Sequence, residues 1–313
     1  MKKILITGGA GNIGSSLVAR LAHSQENLIV VVDNLSTGEI TKMPQARENI
    51  IFIKSDVNNY QEISSIMLSY KFDFVFHYAA VVGVARTLQN PRMVLDDIEG
   101  IKHILNLAKN TNVKKVFYSS SSEVYGEPVE IPQFEDTTPL NSRLPYAIVK
   151  NLGEAFLKTY YQEYGLNYTI FRFFNTYGPN QSTDFVIAKF ISYSLNNKDI
   201  TIYGDGSQTR TFCYIDDNLD TVEKILMNDL FSGEVINIGS DYEISILDLA
   251  KSIIQLLGSR SKIVFLPPLK EGDMTRRKPD ITKMMSVLNR KLTSLEDGVQ
   301  KTVKTMNPGI KIY

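Results

Sequence analysis

Tyr146 and Lys150 are a candidate pair for proton transfer, and both belong to the segment PYAIVK. They are four residues apart, so a helix would place both side chains on one face. A free tyrosine titrates near pH ~10 and is a poor base at neutral pH. A neighbouring ammonium group stabilises the phenolate and lowers the tyrosine pKa, which would suit Tyr146 to general base catalysis. The same spacing also occurs by chance in solvated helices, so the pair alone does not establish a catalytic site.

Glu123 is a second candidate, because it follows a run of serines in YSSSSEVYGEP, residues 118–128. The preceding letters, KKVFYSS, are typical of the end of a buried strand. A carboxylate just past such a strand is either a solvated loop charge or part of a catalytic site. The local sequence leaves both interpretations open.

Three glycines form a candidate phosphate-binding turn in ITGGAGNIGSS. Gly8, Gly11 and Gly14 directly follow a predicted strand and stand at the start of a predicted helix. Glycines there permit a tight turn, a close approach of the backbone to a pyrophosphate, and close packing of helix on strand. The phosphates would lie at the helix N-terminus. This context favours a dinucleotide site more strongly than a glycine triad alone.

Asp33 ends the second predicted strand, about 20 residues beyond the glycines, as expected for a ribose-binding carboxylate. Such a carboxylate can accept hydrogen bonds from both adenosine ribose hydroxyls and would repel a 2′-phosphate. The neighbours Asn34 and Leu35 provide no arginine to compensate. The sequence therefore predicts NAD rather than NADP. Further along, Asp56 and Val57 close the third predicted strand, where they could border the adenine.

The segments that must position these residues alternate between short apolar runs and helix-length amphipathic stretches. Strands are predicted over residues 3–7, 28–33, 50–56, 73–79, 114–120 and 167–174, and helices near 12–23, 58–69, 91–110 and 145–164. Hydrophobicity along these strands is continuous rather than alternating, which is typical of a parallel sheet buried on both faces. The pattern predicts an α/β fold with a Rossmann-type doubly wound parallel sheet.

The spacing becomes irregular after about Gly178, and residues 259–280 form a long connection rich in proline and charge. Such a connection favours a smaller lobe that covers a site. We expect an NAD-binding domain over residues 1–176, to which a segment near 211–240 returns. Residues 177–313 are expected to form the second, smaller α/β substrate-binding lobe.

Composition excludes several classes of partner. Lys plus Arg and Asp plus Glu both total 34 of the 313 residues. The chain therefore lacks the excess of basic residues that is typical of proteins that bind nucleic acid or an anionic membrane. Cys213 is the single cysteine, which excludes an internal disulfide, and no Cys/His cluster has metal-ligand spacing. No apolar run approaches the roughly 20 residues that span a bilayer. The N-terminal MKKILITGG leads straight into a strand, so we expect a cytoplasmic protein without a metal.

Together the motifs resemble those of extended short-chain dehydrogenases/reductases, in the group of nucleotide-sugar epimerases, dehydratases and decarboxylases. The resemblance covers nearly the whole chain, and its motifs occur in the family's order. They are the glycine turn, VVDNLSTG with Asp33, HYAA, the serine run before VYG, Tyr146 with Lys150, RFFNTYGP, YGDGSQTRTFCYIDD and RRKPDI.

The resemblance implies roles for individual residues. The expected cofactor contacts are Gly8, Gly11, Asn12, Ile13, Gly14, Asp33, Asn34, Asp56, Val57, Tyr78, Ala79, Ala80, Tyr146 and Lys150. Tyr146 would remove the proton of the sugar 4-hydroxyl while C4 passes hydride to NAD, and Ser121 would hydrogen-bond that hydroxyl. The remaining expected residues are Glu123 as a catalytic group and Ser122, Asn175, Arg210 and Arg277 as contacts to a nucleotide-diphosphate sugar.

The second step of the reaction stays open. Epimerases usually have a small residue where Glu123 stands, and one dehydratase type has an aspartate where Ser122 stands. Another dehydratase type has the Ser–Glu pair but prefers NADP, against Asp33, whereas uronate decarboxylases have the pair and an arginine like Arg277. We expect oxidation at C4 that is completed by 4-epimerisation. The alternatives to epimerisation are release of the 4-keto sugar, dehydration or decarboxylation.

Two further expectations concern the whole chain. An NAD-responsive regulator on the same fold is disfavoured, because such regulators commonly lose the catalytic tyrosine or lysine, and both are present. The predicted helix 91–110 has apolar residues on more than one stripe. One stripe could pack against the sheet, and another could contact a second subunit. We therefore expect a homodimer or a higher homo-oligomer.

Overall fold

The computed structural model describes residues 1–268, 276–307 and 309. Its strands are β1 (Lys2–Thr7), β2 (Asn27–Asp33), β3 (Ile50–Lys54), β4 (Phe74–His77), β5 (Lys115–Ser121), β6 (Tyr168–Phe173), β7 (Thr176–Tyr177), β8 (Ile200–Tyr203), β9 (Thr209–Thr211), β10 (Cys213–Tyr214), β11 (Glu234–Ile238), β12 (Glu243–Ser245) and β13 (Ile263–Leu266). Its α-helices are α1 (Asn12–Leu21), α2 (Tyr60–Tyr70), α3 (Val84–Gln89), α4 (Pro91–Asn110), α5 (Pro145–Tyr164), α6 (Val186–Leu195), α7 (Ile215–Met227), α8 (Ile246–Leu256), α9 (Thr282–Leu288) and α10 (Leu295–Met306).

A seven-stranded parallel sheet forms the centre of the molecule, in the order β11-β6-β5-β4-β1-β2-β3. Its middle strands are covered on both faces, and Val30, Val31 and Val32 of β2 are fully buried. This burial explains the continuous hydrophobic runs. The order of the strands reverses between β1 and β4, where doubly wound sheets open a crevice for ligands. The predicted Rossmann-type fold is confirmed.

The ends of some elements differ from the predicted bounds. β3 ends at Lys54 rather than at residue 56, because the chain turns there and Asp56 Oδ1 accepts a hydrogen bond from the backbone N–H of Asn58 at 2.9 Å. β4 likewise ends at His77. The helices over 91–110 and 145–164 have the predicted bounds, and each begins with a proline at its first position, where the missing N–H has no intrahelical partner to lose.

The chain beyond β7 contributes to the central sheet and to smaller sheets outside it. β11 returns to the central sheet and pairs with β6, from Glu234 opposite Thr169 to Ile238 opposite Phe173. In the described part of the chain, three two-stranded sheets lie outside the central one, β7 with β10, β9 with β12 and β8 with β13. The predicted long connection over 259–280 contains β13, and its residues 269–275 lie outside the described residues. Within the described ranges, no helix combines the length and apolarity needed to cross a membrane.

Candidate active site

A cavity of about 450 Å³ lies at the carboxyl ends of the central strands and extends to residues that follow β7. It is lined by residues that follow β1, β2, β4 and β5, and by Phe173 at the end of β6. All of the predicted cofactor, catalytic and substrate residues line it except Arg210. The described residues contain no group of three His, Cys, Asp or Glu side chains that could hold a metal ion.

The glycine turn has the tight geometry that a dinucleotide site needs. Gly8 has φ +68°, and a Cβ there would lie 2.6 Å from the backbone nitrogen of Ala79. A Cβ on Gly14 would lie 2.2 Å from the carbonyl oxygen of Gly8. Oδ1 of Asn12, at the start of α1, is buried without a hydrogen-bond partner among the described residues. The open backbone and the positive end of α1 fit the pyrophosphate of NAD.

Asp33 is held rigidly beside this turn. Its Oδ2 accepts from the backbone N–H of Ala10 at 2.9 Å, and its Oδ1 accepts from the N–H of Leu35 at 2.8 Å. Asn34 donates to Oδ2 of Asp56 at 3.1 Å, which places both predicted adenosine-end carboxylates on the same wall. The residues present therefore fit the adenosine half of NAD, with Asp33 in place to bind ribose hydroxyls.

Lys150 is anchored from β5. Its Nζ donates to the carbonyl oxygen of Ser119 at 2.6 Å and lies 5.0 Å from the ring centre of Tyr118. The distance from Nζ to the ring centre of Tyr146 is 5.8 Å. Burial lowers the pKa of Lys150 to about 8, and the charge of Asp97 partly offsets that effect. The lysine is thus still largely protonated at neutral pH.

The surroundings of Tyr146 in the protein itself raise its pKa, whereas the expected depression depends on the neighbouring ammonium together with a positively charged nicotinamide. Burial raises its pKa, and the negative charge of Glu123 raises it further, while a hydrogen bond with Ser121 and the charge of Arg277 act in the opposite direction. Burial outweighs the cations because the ammonium of Lys150 is directed to the carbonyl of Ser119 rather than to the phenol. In the protein alone, Tyr146 is a neutral phenol that lines the cavity together with Ser121.

Glu123 lies in a short helical turn, Ser122–Tyr125, that begins where β5 ends. Its backbone N–H donates to Oγ of Ser121 at 3.1 Å, so the turn is capped by that serine. Arg277 places Nη1 3.2 Å from Oγ of Ser122 and 3.9 Å from Oε1 of Glu123. The Arg277 side chain is only 6% exposed and that of Glu123 only 20%. The glutamate therefore faces an arginine inside the cavity.

Asn175 and Arg210 are placed differently from each other. Asn175 lines the cavity, has φ +37°, and donates its amide to the carbonyl of Thr211 at 2.9 Å. Arg210, in β9, is buried outside the described lining and donates to the carbonyl of Thr209 at 2.8 Å. Asn175, Ser122 and Arg277 line the cavity, whereas Arg210 lies outside its lining in β9, between Thr209, which bridges to Arg276, and Thr211, which accepts from Asn175.

Several lining residues were not indicated by the sequence motifs. Asp97 accepts a hydrogen bond at Oδ2 from the N–H of Val81 at 2.8 Å, and burial raises its pKa. A signal existed, because Asp97 lies between the buried Val94 and Ile101 on the apolar stripe of α4. Arg86 bridges to Asp184 at 3.1 Å across the cavity rim, and no local pattern pairs those residues.

The fold and this site define an NAD-binding enzyme with a serine, a tyrosine and a lysine at one end of its cofactor cavity. The chain belongs to the NAD-dependent epimerase/dehydratase family, whose family model matches residues 4–239. This match confirms the resemblance, the enzymatic class and NAD as the cofactor.

Individual relatives cover nearly the whole chain. A UDP-N-acetyl-alpha-D-glucosaminuronate decarboxylase of Bacillus cytotoxicus is 35% identical over 97% of this chain and 97% of its own length. The structure of a Thermotoga maritima UDP-glucose 4-epimerase with UDP-glucose has a TM-score of 0.90 and 32% identity, covering 98% of this chain and 99% of that one. The Thermus thermophilus UDP-glucose 4-epimerase complex with NAD has a TM-score of 0.90 and 25% identity, covering 98% and 100%.

Proposed function

We propose that this enzyme oxidises the C4 hydroxyl of a nucleotide-activated sugar to a 4-keto sugar. The observation that carries the proposal is that Ser121 and Tyr146 line the same cavity as the glycine turn and Asp33. A substrate hydroxyl that reached both side chains would have the Ser121 hydroxyl as a hydrogen-bond partner on one side and Tyr146 as a proton acceptor on the other. That is the geometry of general base catalysis.

The residues of the chain have separate tasks in this reaction. Bound NAD supplies the acceptor for the hydride that leaves C4. Ser121 orients the 4-hydroxyl, and Tyr146, once its phenol has released its own proton to solvent, takes the proton of that hydroxyl at Oη. Lys150 keeps a positive charge close to Tyr146, held in place by the carbonyl of Ser119. The charge of Arg277 favours the phenolate, whereas that of Glu123 opposes it.

The proposed substrate is a uridine-diphosphate sugar, as the names of the similar proteins suggest. We assign its sugar end to Ser122, Glu123 and Arg277 and its diphosphate to Asn175 and Arg210, mainly in the lobe formed by residues 177–313. Arg210 lies outside the described lining, so its part in this assignment requires the nucleotide to extend beyond the cavity towards β9.

Two completions of the reaction are proposed. The first is 4-epimerisation, which needs no acid or base beyond those used in the oxidation. The second is decarboxylation of a nucleotide uronate, and the Ser122–Glu123–Arg277 cluster specifically favours it. A buried guanidinium in the cavity is a suitable partner for a sugar carboxylate, and the Ser–Glu turn holds that guanidinium at the catalytic end.

One experiment tests the oxidation and separates the completions. The purified enzyme with NAD is incubated with UDP-glucose, UDP-N-acetylglucosamine and their two uronates, and products are separated and weighed by mass spectrometry. Epimerisation gives an isomer of unchanged mass, decarboxylation removes the mass of CO₂, and net dehydrogenation removes two hydrogens and accumulates NADH. If none of the four is converted and none reduces the bound NAD, the proposed substrate class is wrong.

We also propose a homodimer formed through α4 and α5, which pack side by side. Leu95 on α4 is 45% exposed, and Ile148 on α5 is 47% exposed. Leu152 is one turn from Ile148 on the same face and is also exposed. A second copy would bury this apolar surface. Sedimentation equilibrium should give twice the chain mass, and a monomer at micromolar concentration would contradict the dimer.

A further inference from the structure

A buried ion pair joins α5 to β6 behind the catalytic end of the cavity. Arg172 donates through Nε and Nη2 to the two carboxylate oxygens of Glu154, at 2.9 and 2.7 Å. Ser120, the neighbour of Ser121 in β5, donates to the same carboxylate at 2.6 Å. Glu154 stands one helical turn after Lys150. The pair thus contacts the strand and the helix that carry the catalytic groups.

Tyr125 extends this pair to the neighbouring strand β11, where Asn237 lies opposite Arg172. Its hydroxyl accepts from Nη1 of Arg172 at 2.8 Å and donates to Oδ1 of Asn237 at 2.7 Å. The side chain is 1% exposed and belongs to the turn that carries Glu123. Burial raises the pKa of Tyr125 to about 12, so the hydroxyl keeps its proton for Asn237 at physiological pH.

Asn237, in β11, holds the segment that carries Arg277. Its Nδ2 donates to the carbonyl of Gln133 at 2.9 Å and to the carbonyl of Asp280 at 3.2 Å. The backbone of Gln133 in turn pairs with Lys278 and with Asp280, at 2.8 and 2.9 Å. An unbroken chain of hydrogen bonds therefore runs from α5 through Tyr125 to residues 278–280.

The energetics of this chain indicate a positioning role. Burying a carboxylate and a guanidinium costs desolvation free energy, and such a pair is weak evidence for a net gain in stability. The side chains of Glu154, Arg172, Tyr125 and Asn237 are all hydrogen-bonded here, and such a buried network instead favours one arrangement of the elements that it joins. The elements here carry Lys150, Glu123 and Arg277, which come from three separate regions of the sequence.

We propose that Tyr125 is a positioning residue whose hydroxyl fixes Arg277 against Ser122 and Glu123, by joining the Glu154–Arg172 pair to Asn237. The kinetic test of this role rests on the proposed function, because it measures the turnover of the proposed reaction. It also predicts a local property of the protein that needs no substrate. Without the hydroxyl, the backbone around residues 277–280 loses part of its anchorage and opens more often.

The test uses Tyr125→Phe, which keeps the ring and removes only the hydroxyl. We expect kcat to fall about tenfold, since one buried hydrogen-bonded link is lost, while the Kd for NAD measured by calorimetry stays unchanged. In an Arg277→Gln background the same change should cost less than about twofold, because the hydroxyl acts through Arg277. A tenfold loss in both backgrounds, or no loss in the wild-type background, overturns the role.

Tyr168→Phe is the matched control. Tyr168 is a buried tyrosine of β6 outside the cavity lining, and its replacement should leave kcat unchanged in both backgrounds. Asn237→Ala cuts the same link from the opposite side, and it should reproduce the non-additivity with Arg277→Gln if Tyr125→Phe does not fold.

Hydrogen exchange of the substrate-free holoenzyme tests whether the backbone around residues 277–280 opens more often without the Tyr125 hydroxyl. In Tyr125→Phe, peptides over residues 277–282 should exchange faster, whereas those of β1 and β2 and the whole Tyr168→Phe variant should match the wild type. Unchanged exchange at 277–282 overturns the positioning role even if no sugar substrate is found. If the wild type converts no nucleotide sugar but Tyr125→Phe exchanges faster at residues 277–282, the proposed substrate is rejected. The anchoring of this segment by Tyr125 is then still supported.

Discussion

At the glycine end of the cavity the shape is set by backbone, because Gly8 and Gly14 leave no space for a Cβ and Asp33 is fastened by two backbone N–H groups. At the tyrosine end the shape is set by side chains from β5, α5 and the segment around Arg277. The first end depends on a short stretch of local conformation. The second depends on contacts between distant parts of the chain, which makes it the end where relatives with one fold can differ in reaction.

Removing the phenol at the tyrosine end should have the largest effect. Tyr146→Phe deletes the proton acceptor and keeps the ring, so turnover should fall by about 10²–10⁴-fold. The Kd for NAD should change little, because the glycine end is untouched. Tyr160→Phe, on the same helix outside the cavity lining, is the control. Near-normal steady-state turnover of Tyr146→Phe would remove Tyr146 from the mechanism.

Gly14→Ala should damage the other end selectively. The new Cβ would meet the Gly8 carbonyl at 2.2 Å, so the turn must shift and NAD should bind about 10–100-fold more weakly. The kcat at saturating NAD should stay within about threefold of the wild type. Gly11→Ala is a milder comparison, because its Cβ would lie 3.3 Å from the same oxygen. Titration calorimetry with NAD measures both losses, and equal losses would contradict the steric argument.

Glu123→Gln tests the charge that opposes Tyr146. We expect the rate of C4 oxidation to fall about tenfold, because Arg277 loses its anionic neighbour. The Glu123 charge raises the pKa of Tyr146, so its removal should lower that pKa and move the rising limb of the pH–rate profile to lower pH. Single-turnover NADH formation across pH measures both effects. Wild-type rates with an unshifted profile would show that Glu123 takes no part.

Asp33→Ala should give the smallest change and should alter cofactor choice rather than turnover. The Kd for NAD should rise about fivefold with the loss of hydrogen bonds to the ribose hydroxyls. NADP should be affected less, because the repulsion of its 2′-phosphate is relieved. Calorimetry with both cofactors measures the ratio, and equal losses for the two would reject the assignment of Asp33 to the ribose.

The features that could be predicted from sequence are those encoded over a few neighbouring residues. The glycine turn, Asp33 at a strand end and the spacing of Tyr146 to Lys150 are of this kind, and so are the buried strands. The direction of the Tyr146 pKa was not predictable, because it depends on burial and on Glu123, 23 positions away in the sequence. The link from Arg172 through Tyr125 to Asn237 joins residues up to 112 positions apart, and nothing in the local pattern pairs them.

The return of β11 to the central sheet has a consequence for synthesis on the ribosome. β6 is complete at Phe173, but its outer edge has no partner until Glu234–Ile238 has emerged. An unpaired hydrophobic edge is a template for pairing with other chains. The nascent protein therefore passes through an aggregation-prone interval while the intervening segments are translated, and chaperone binding is expected to be most useful in that interval.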